Sequence, residues 1–211
     1  VVFDKSFASA SPTTCKSWFN GFSQLPEIKG IKNLNTSEVR YMSYMFAGCS
    51  KLKSVDLTYM NLQKVEDMSY MFNYCLALNT VYLKGLNTYK VKYMNSMFEL
   101  CKSLKHLDLS SFNTQNVEKF QRMFYGCSSL KSIYASSKFV VNYPNSGSEM
   151  FYRCYNLAGE SMTYNPAHVN GDYAKIVGGY FLDAKYLIPW VKQNGKTITL
   201  YYGYKKTPGT G

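Results

Sequence analysis

The chain has 211 residues, of which 46% are hydrophobic and 18% charged, so it can bury a core and is not a disordered polymer. It contains no apolar run of roughly 18 residues, which excludes a transmembrane helix. The net charge is +11, but 21 of the 24 basic residues are lysine. Because base and phosphate recognition usually enlists arginine, the charge predicts a solubilising surface and no nucleic-acid partner.

Residues 1–24 are predicted to form an N-terminal cap. Val1–Phe3 suit a strand, and Ser6 or the Thr13-Thr14 pair are residue types that begin helices. Phe19–Leu25 is a degenerate copy of the repeat that follows, with Phe22 at the position that later copies give to cysteine.

Residues 25–158 are built from a 26-residue repeat. A Met-Phe pair recurs at this interval, with one interval of 27, and a Cys and then a Leu follow each Phe at spacings of three. The pairs are Met45-Phe46, Met71-Phe72, Met97-Phe98, Met123-Phe124 and Met150-Phe151; the cysteines are Cys49, Cys75, Cys101, Cys127 and Cys154; the leucines are Leu52, Leu78, Leu104, Leu130 and Leu157.

Each repeat has two periodicities. The last four residues of Leu104–Leu109 alternate between polar and apolar, which predicts a short strand with one buried face. The apolar residues of Val117–Cys127 are spaced by three and four, which predicts an amphipathic helix. An Asn-Thr pair between the halves either caps the coming helix or bonds the turn of the next repeat. The pairs are Asn35-Thr36, Asn87-Thr88 and Asn113-Thr114, with Asn61-Leu62 as a variant.

One strand and one helix cannot bury their own apolar side, but stacked copies can. A period of 26 lies within the range of roughly 20–29 that is typical of leucine-rich repeats. Helices pack farther apart than strands, so the stack must curve. The predicted fold is therefore an α/β leucine-rich-repeat solenoid, a short horseshoe with parallel strands on the concave face and helices on the convex face.

Residues 159–211 break the period and are predicted to form a C-terminal cap. The segment 159–179 is rich in Gly, Asn, Pro and Ser, which favours loop structure. Two strand-like runs, 186–191 and 196–202, flank Asn194-Gly195, a strong hairpin signal. We expect a β-hairpin over residues 180–206, which either completes the cap or begins a further module.

The five cysteines of the repeat fall on the buried apolar stripe. Neighbouring thiols there would point in parallel, whereas a disulfide needs Cβ atoms about 3.8 Å apart and facing each other. We therefore expect a core ladder of free thiols. No Cys-x-x-Cys pair is present, and neither a metal nor a cofactor is expected. Cys15 lies off the register of these five cysteines.

The strand residues that would face the concave surface are the candidate ligand site. They combine aromatic rings, carboxylates, an imidazole and an ammonium group, a mixture suited to a protein strand or a sugar. The residues are Asp56, Tyr82, Lys84, His106, Asp108 and Tyr134. An ordinary polar sheet face is the alternative.

No catalytic residues are expected. His106 beside Asp108 would need a nucleophile within reach, and the nearby serines belong to a generally polar face. Asp56 and Asp108 lie two repeats apart with Tyr82 between them, which argues against a glycosidase pair. Tyr41, Tyr44, Tyr70 and Tyr93 should point to solvent, either as interface residues or as ordinary surface.

The run Leu107–Val117, followed by Met123–Leu130, resembles the 26-residue repeat of the BspA-like leucine-rich-repeat surface proteins of bacteria. The opening residues Val2–Asp4 with Ser17–Phe19, and the stretch Asp172–Phe181, are similar to that family's flanking segments. The resemblance implies a secreted or surface-anchored protein of host-associated bacteria, in a family where some members are adhesins for matrix or plasma proteins. It specifies a scaffold and no ligand.

These observations together predict a non-enzymatic, monomeric interaction module at the bacterial cell surface or outside the cell. Its partner would be a host or bacterial surface protein, or a glycan. A structural spacer and a carbohydrate-binding module are the alternatives. Val1–Asp4 has neither the basic nor the apolar part of a signal peptide, so we expect any signal or anchor outside these residues.

Overall fold

The computed structural model describes residues 1–143, 145–194 and 197–204. Its regular elements are short. The helices are 3₁₀ turns at Lys5–Ala8, Ile31–Asn33, Gly171–Tyr173 and Ala184–Tyr186. The strands are β1 (Ser54–Asp56), β2 (Thr80–Tyr82), β3 (His106–Leu109), β4 (Ser132–Ala135), β5 (Phe181–Asp183), β6 (Leu187–Asn194) and β7 (Thr197–Tyr204).

The strands of neighbouring repeats pair in parallel. β1 pairs with β2, and β3, β4 and β5 form a second small sheet in that order. His106 lies opposite Ser132, its equivalent one repeat later. The strand predicted from the alternation within Leu104–Leu109 is confirmed as β3. β5 pairs with β4, so Phe181–Asp183 extends the parallel sheet and is not part of the hairpin to which the sequence assigned it.

β6 and β7 pair antiparallel, with Asn194 opposite Thr197. They are the two strands of the predicted hairpin. The turn was predicted at Asn194-Gly195, and Asn194 is the last residue of β6. Residues 195, 196 and 205–211 lie outside the described residues.

The predicted helices are absent: no α-helix occurs among the described residues. The second half of each repeat is a run of turns, and the strands form two small parallel sheets. The expectation of an α/β leucine-rich-repeat solenoid, a horseshoe with helices on its convex face, is therefore wrong. The described fold is largely strand, turn and coil, and it contains no helix that is long and apolar enough to cross a membrane.

Left-handed residues explain why the apolar spacing of three and four does not produce a helix. In every copy the residues two before and two after the conserved Phe have a positive φ, between 52° and 79°. The earlier position holds Ser17, Tyr44, Tyr70, Ser96, Arg122 and Glu149, and the later one holds Gly21, Gly48, Tyr74, Leu100, Gly126 and Arg153. A left-handed residue at every fourth position is incompatible with a right-handed helix.

The backbone hydrogen bonds of this segment alternate between two kinds of partner. Met45 N–H donates to Met42 O within its own turn at 3.2 Å, whereas Phe46 N–H donates to Met71 O in the next repeat at 2.9 Å. The residues two before and two after Phe46 also donate to the next repeat. The turns of successive repeats are therefore tied to one another by main-chain bonds, and not by side-chain packing alone.

The core is a column of stacked phenylalanines. Ring centroids of neighbours are 5.4–5.9 Å apart and the rings are within 12° of parallel. The column consists of Phe19, Phe46, Phe72, Phe98, Phe124 and Phe151. Tyr180 and Phe181 meet Phe151 edge-on, so the residues after the repeats close this end of the column.

Each repeat cysteine lies beside this column and donates its S–H to a phenylalanine carbonyl. The Sγ–O distances are 3.0–3.2 Å, and the acceptor always belongs to the preceding copy. The thiols are buried and none forms a disulfide, as predicted for the ladder. Cys15 is buried as well. It lies four residues before Phe19, at the position that a later repeat gives to Met42, so it is off the register of the other cysteines, as predicted.

Buried threonines add a second link between repeats. The Thr88 hydroxyl donates to Asn113 O at 2.8 Å and accepts from Asn113 N–H at 2.9 Å. Thr36 and Thr114 make the same pair of bonds to Asn61 and Val140. Of the two roles that the sequence left open for this position, the structure places the threonines in the second, bonding the next repeat.

Candidate binding surfaces

The residues predicted for the ligand site lie on the parallel strands, but only in part at the surface. Asp56 is paired with Tyr82 between β1 and β2, and Asp108 with Tyr134 between β3 and β4. Tyr82 is 53% exposed, whereas Tyr134 is only 7% exposed. The two tyrosines therefore do not form one aromatic platform, and the expectation that Tyr134 faces a ligand is wrong.

The polar groups of this face are engaged in local structure. The Asp56 carboxylate accepts from the Thr58 N–H at 3.0 Å and from its hydroxyl at 2.6 Å. The Asp108 carboxylate accepts from Ser110 N–H at 2.9 Å. Lys84 is exposed beyond Tyr82. These carboxylates stabilise the turns after the strands.

His106 contacts a serine, and the described residues place no carboxylate on its ring as the third partner of a catalytic triad. Its Nδ1 lies 2.7 Å from the Ser132 hydroxyl, and Ser132 is 6% exposed. Partial burial, followed by the nearby Lys131 and Lys105 ammonium groups, lowers the pKa of His106. The imidazole is thus held in its neutral form beside two positive charges.

Among the described residues, the side chains that could bind a metal are scattered and the cysteine thiols are buried. They contain no group of three or more His, Cys, Asp or Glu side chains able to hold an ion. Burial raises the pKa of Cys49 to about 11 and that of Cys15 to about 12. A thiol with so high a pKa carries little of the reactive thiolate near neutral pH.

A stripe of charged side chains runs along the residues that precede the turns of each repeat. Lys64 Nζ lies 2.7 Å from the Glu38 carboxylate, and Arg40 Nε donates to Glu66 at 3.1 Å. Arg40 lowers the pKa of Glu66. Because Lys64, Glu38 and Arg40 are exposed, these pairs contribute little to stability. Lys90 and Lys92 line the same depression, so its lining keeps a net positive charge.

A second surface lies on the face formed by the left-handed turns, in the first three copies of the repeat. Tyr44 and Tyr70 stack there with centroids 4.5 Å apart and rings 5° from parallel. Tyr74 is 52% exposed and Leu76 is 37% exposed. They border a shallow depression, called here the turn trough, which is lined by Asn20, Tyr44, Ala47, Gly48, Ser50, Asn73, Tyr74 and Leu76.

Sequence reasoning identified Tyr44 and Tyr70 as surface residues but missed Tyr74 and Leu76. It placed the whole segment on a helix, where these two would be ordinary flanking positions. The available signal was the glycine that stands two residues after Phe19, Phe46 and Phe124. Glycine at a fixed position often marks a left-handed turn, and a turn presents different side chains to solvent than a helix does.

One sequence family matches the chain, described as Mycoplasma protein of unknown function, DUF285. It matches twice, over residues 6–82 and residues 53–164. The two matches overlap and together cover well over half of the chain. Neither the curated proteins nor the solved structures contain a match.

Proposed function

The chain belongs to the DUF285 family, and from this premise we propose that it is a non-enzymatic interaction module that binds an extracellular protein at the bacterial surface. The observation that carries the proposal is a set of exposed tyrosines on a regular backbone. Among the residues whose side chains are described, seven tyrosines are 42–66% exposed: Tyr41, Tyr59, Tyr74, Tyr82, Tyr89, Tyr143 and Tyr155.

Tyrosine is the residue type that binding surfaces use most readily. Its ring supplies a large contact area and its hydroxyl a hydrogen bond, while only two side-chain torsions must be fixed. Here the tyrosines stand on turns and strands that are tied to their neighbours by main-chain bonds. Little backbone entropy would therefore be lost when a partner binds.

Several features support a role without catalysis. Ser132, the hydroxyl nearest to His106, is largely buried. The Asp56 and Asp108 carboxylates are bonded within their own turns. The cysteine thiols are buried. These particular groups are thus occupied in structure or shielded from substrate.

The extracellular location rests on the resemblance of the repeat to bacterial surface proteins and on the cysteine environment. Oxidation and disulfide exchange require an accessible thiolate. Burial raises the pKa of Cys127 to about 12, and the other repeat thiols are buried as well. The chain therefore suits an oxidising environment without needing disulfides.

The test is binding of the purified chain to a panel of immobilised matrix and plasma proteins at about 20 mM and about 150 mM salt, since surface charge is screened at the higher value. The proposal expects saturable binding to at least one protein at both salt concentrations. Binding that disappears at the higher salt would be nonspecific attraction to the +11 charge. Absence of saturable binding would reject the proposal and favour a structural spacer.

A further inference from the structure

The turn trough exists because one position of the repeat lacks side chains in the first two copies. The residue two after the conserved Phe is Gly21 in one copy and Gly48 in the next, both with positive φ. A Cβ placed on Gly48 would meet only the backbone of Gly21, at 3.3 Å. The space above Gly48 is thus the space that a side chain at position 21 would fill.

The equivalent space farther along the chain is filled. A Cβ placed on Gly126 would lie 2.6 Å from Cδ2 of Leu100, which stands at the same position one repeat earlier. Leu100 therefore covers Gly126, whereas nothing of this kind covers Gly48. The trough is a specific vacancy in the repeat and not a general property of its surface.

The walls of the trough combine aromatic, apolar and amide groups. Tyr74 is half exposed, and its ring makes no ring contact with the described aromatic residues, so a face of it is open to a ligand. Asn20 and Asn73 line the same depression, and their side-chain amides have no hydrogen-bond partner within the described part of the chain.

The lining is uncharged. None of its eight residues is Lys, Arg, Asp or Glu, although the chain as a whole carries a net charge of +11. An anionic ligand would gain more from the stripe that carries Arg40 and Lys92. The volume is about 490 Å³, within the roughly 300–1,000 Å³ of small-molecule sites.

We propose that the turn trough binds a neutral saccharide. The C–H face of a pyranose ring would lie on Tyr74 beside Leu76, and its hydroxyl groups would pair with the amides of Asn20 and Asn73. This inference rests on the proposed function, since it names a ligand class for one surface of the same binding module.

Two variants test the site. Gly21→Leu places in the trough the side chain that Leu100 places over Gly126, and Leu100 itself has a φ of 61°, so the left-handed turn accommodates it. Tyr74→Asn removes the ring and retains a residue type that tolerates this conformation. Val177→Ala is the control, because Val177 is 86% exposed but follows the repeats, outside both the trough and the set of exposed tyrosines. Thermal unfolding of each variant establishes that it is folded.

The probes are an array of neutral and of sialylated or sulfated oligosaccharides at physiological salt, followed by calorimetry with the neutral oligosaccharide that binds best. We expect both trough variants to weaken binding about tenfold or more, the scale of one lost aromatic contact, and Val177→Ala to leave it unchanged.

Should Gly21→Leu fail to fold, Tyr74→Asn alone decides. Recognition of anionic glycans only, unchanged affinity in Tyr74→Asn, or no neutral glycan bound at all would overturn the inference. If the protein panel still gives saturable binding in that case, the proposed function stands without a saccharide site; if it does not, both fail.

Discussion

Replacing Thr88 by valine tests whether the buried threonines hold the repeats together. Valine has nearly the same shape, so the substitution removes the hydroxyl without opening a cavity. Thr88 is fully buried and its hydroxyl is the described partner of both backbone groups of Asn113. Thr88→Val therefore leaves one N–H and one C=O without a partner.

The magnitude follows from the number and the burial of these groups. Each buried polar group left unpaired costs about 1–3 kcal/mol. Asn113 is half-buried, so water can reach part of it, and the values at the lower end apply. Burying a methyl group in place of a hydroxyl offsets some of the cost. We expect the free energy of unfolding to fall by about 2 kcal/mol.

Urea denaturation at constant pH measures this change. Thr58→Val is the matched control, because it removes the same hydroxyl from a half-buried threonine whose bond goes to the Asp56 side chain; we expect a loss below about 0.5 kcal/mol there. If Thr88→Val and Thr58→Val were equally stable, the two hydrogen bonds from Thr88 to the next repeat would contribute nothing, and the reasoning would be refuted.

Three further predictions follow from the core and from His106. Phe98→Ala removes a ring from the middle of the phenylalanine column, and we expect a loss of about 3–5 kcal/mol in urea unfolding; a loss below about 1.5 kcal/mol would mean that the column collapses around the gap. The thiols should not react with Ellman's reagent at pH 8 until urea is added, because burial raises their pKa, to about 11 for Cys49 and about 12 for Cys127; rapid labelling of the native chain would contradict their burial. The folded-state pKa of His106 is lowered, so the unfolded chain binds the proton more readily and stability should fall as the pH drops through the ordinary histidine value of about 6.5. An NMR titration that gives His106 an ordinary or raised pKa would show this direction to be wrong.

The repeat could be predicted from the sequence because identical residues recur at identical intervals. The spacing gave the strand at His106–Leu109, the parallel pairing of equivalent residues and the burial of the Phe and Cys positions. These features depend on which face is apolar, and a period of 26 residues, with an occasional 27, returns the same residue types to that face.

The helix could not be excluded from periodicity alone, because an apolar spacing of three and four is also produced by consecutive turns. What separates the two is φ at two positions in each repeat, and most residues there are not glycine. Tyr70 and Ser96 are ordinary residues in a helix, so helix propensity did not indicate the left-handed conformation. The surface position of Tyr74 was missed for the same reason, since it faces solvent from a turn. Tyr134 failed for a different reason: β4 lies between β3 and β5, and the ring is buried although it alternates correctly.

The residues at the left-handed positions also distinguish side chains that stabilise the fold from side chains that would serve a ligand. A residue other than glycine costs about 1–2 kcal/mol in that conformation, yet Tyr74 occupies it at a position where Gly21, Gly48 and Gly126 stand in other copies. Because half of the Tyr74 surface is exposed, packing of its ring offsets little of this conformational cost. We therefore expect Tyr74→Gly to match or exceed the parent protein in urea stability and to lose saccharide binding. If Tyr74→Gly were instead destabilised by more than about 1 kcal/mol, the ring would be a packing element of the turn, and its place in the trough would need no ligand to explain it.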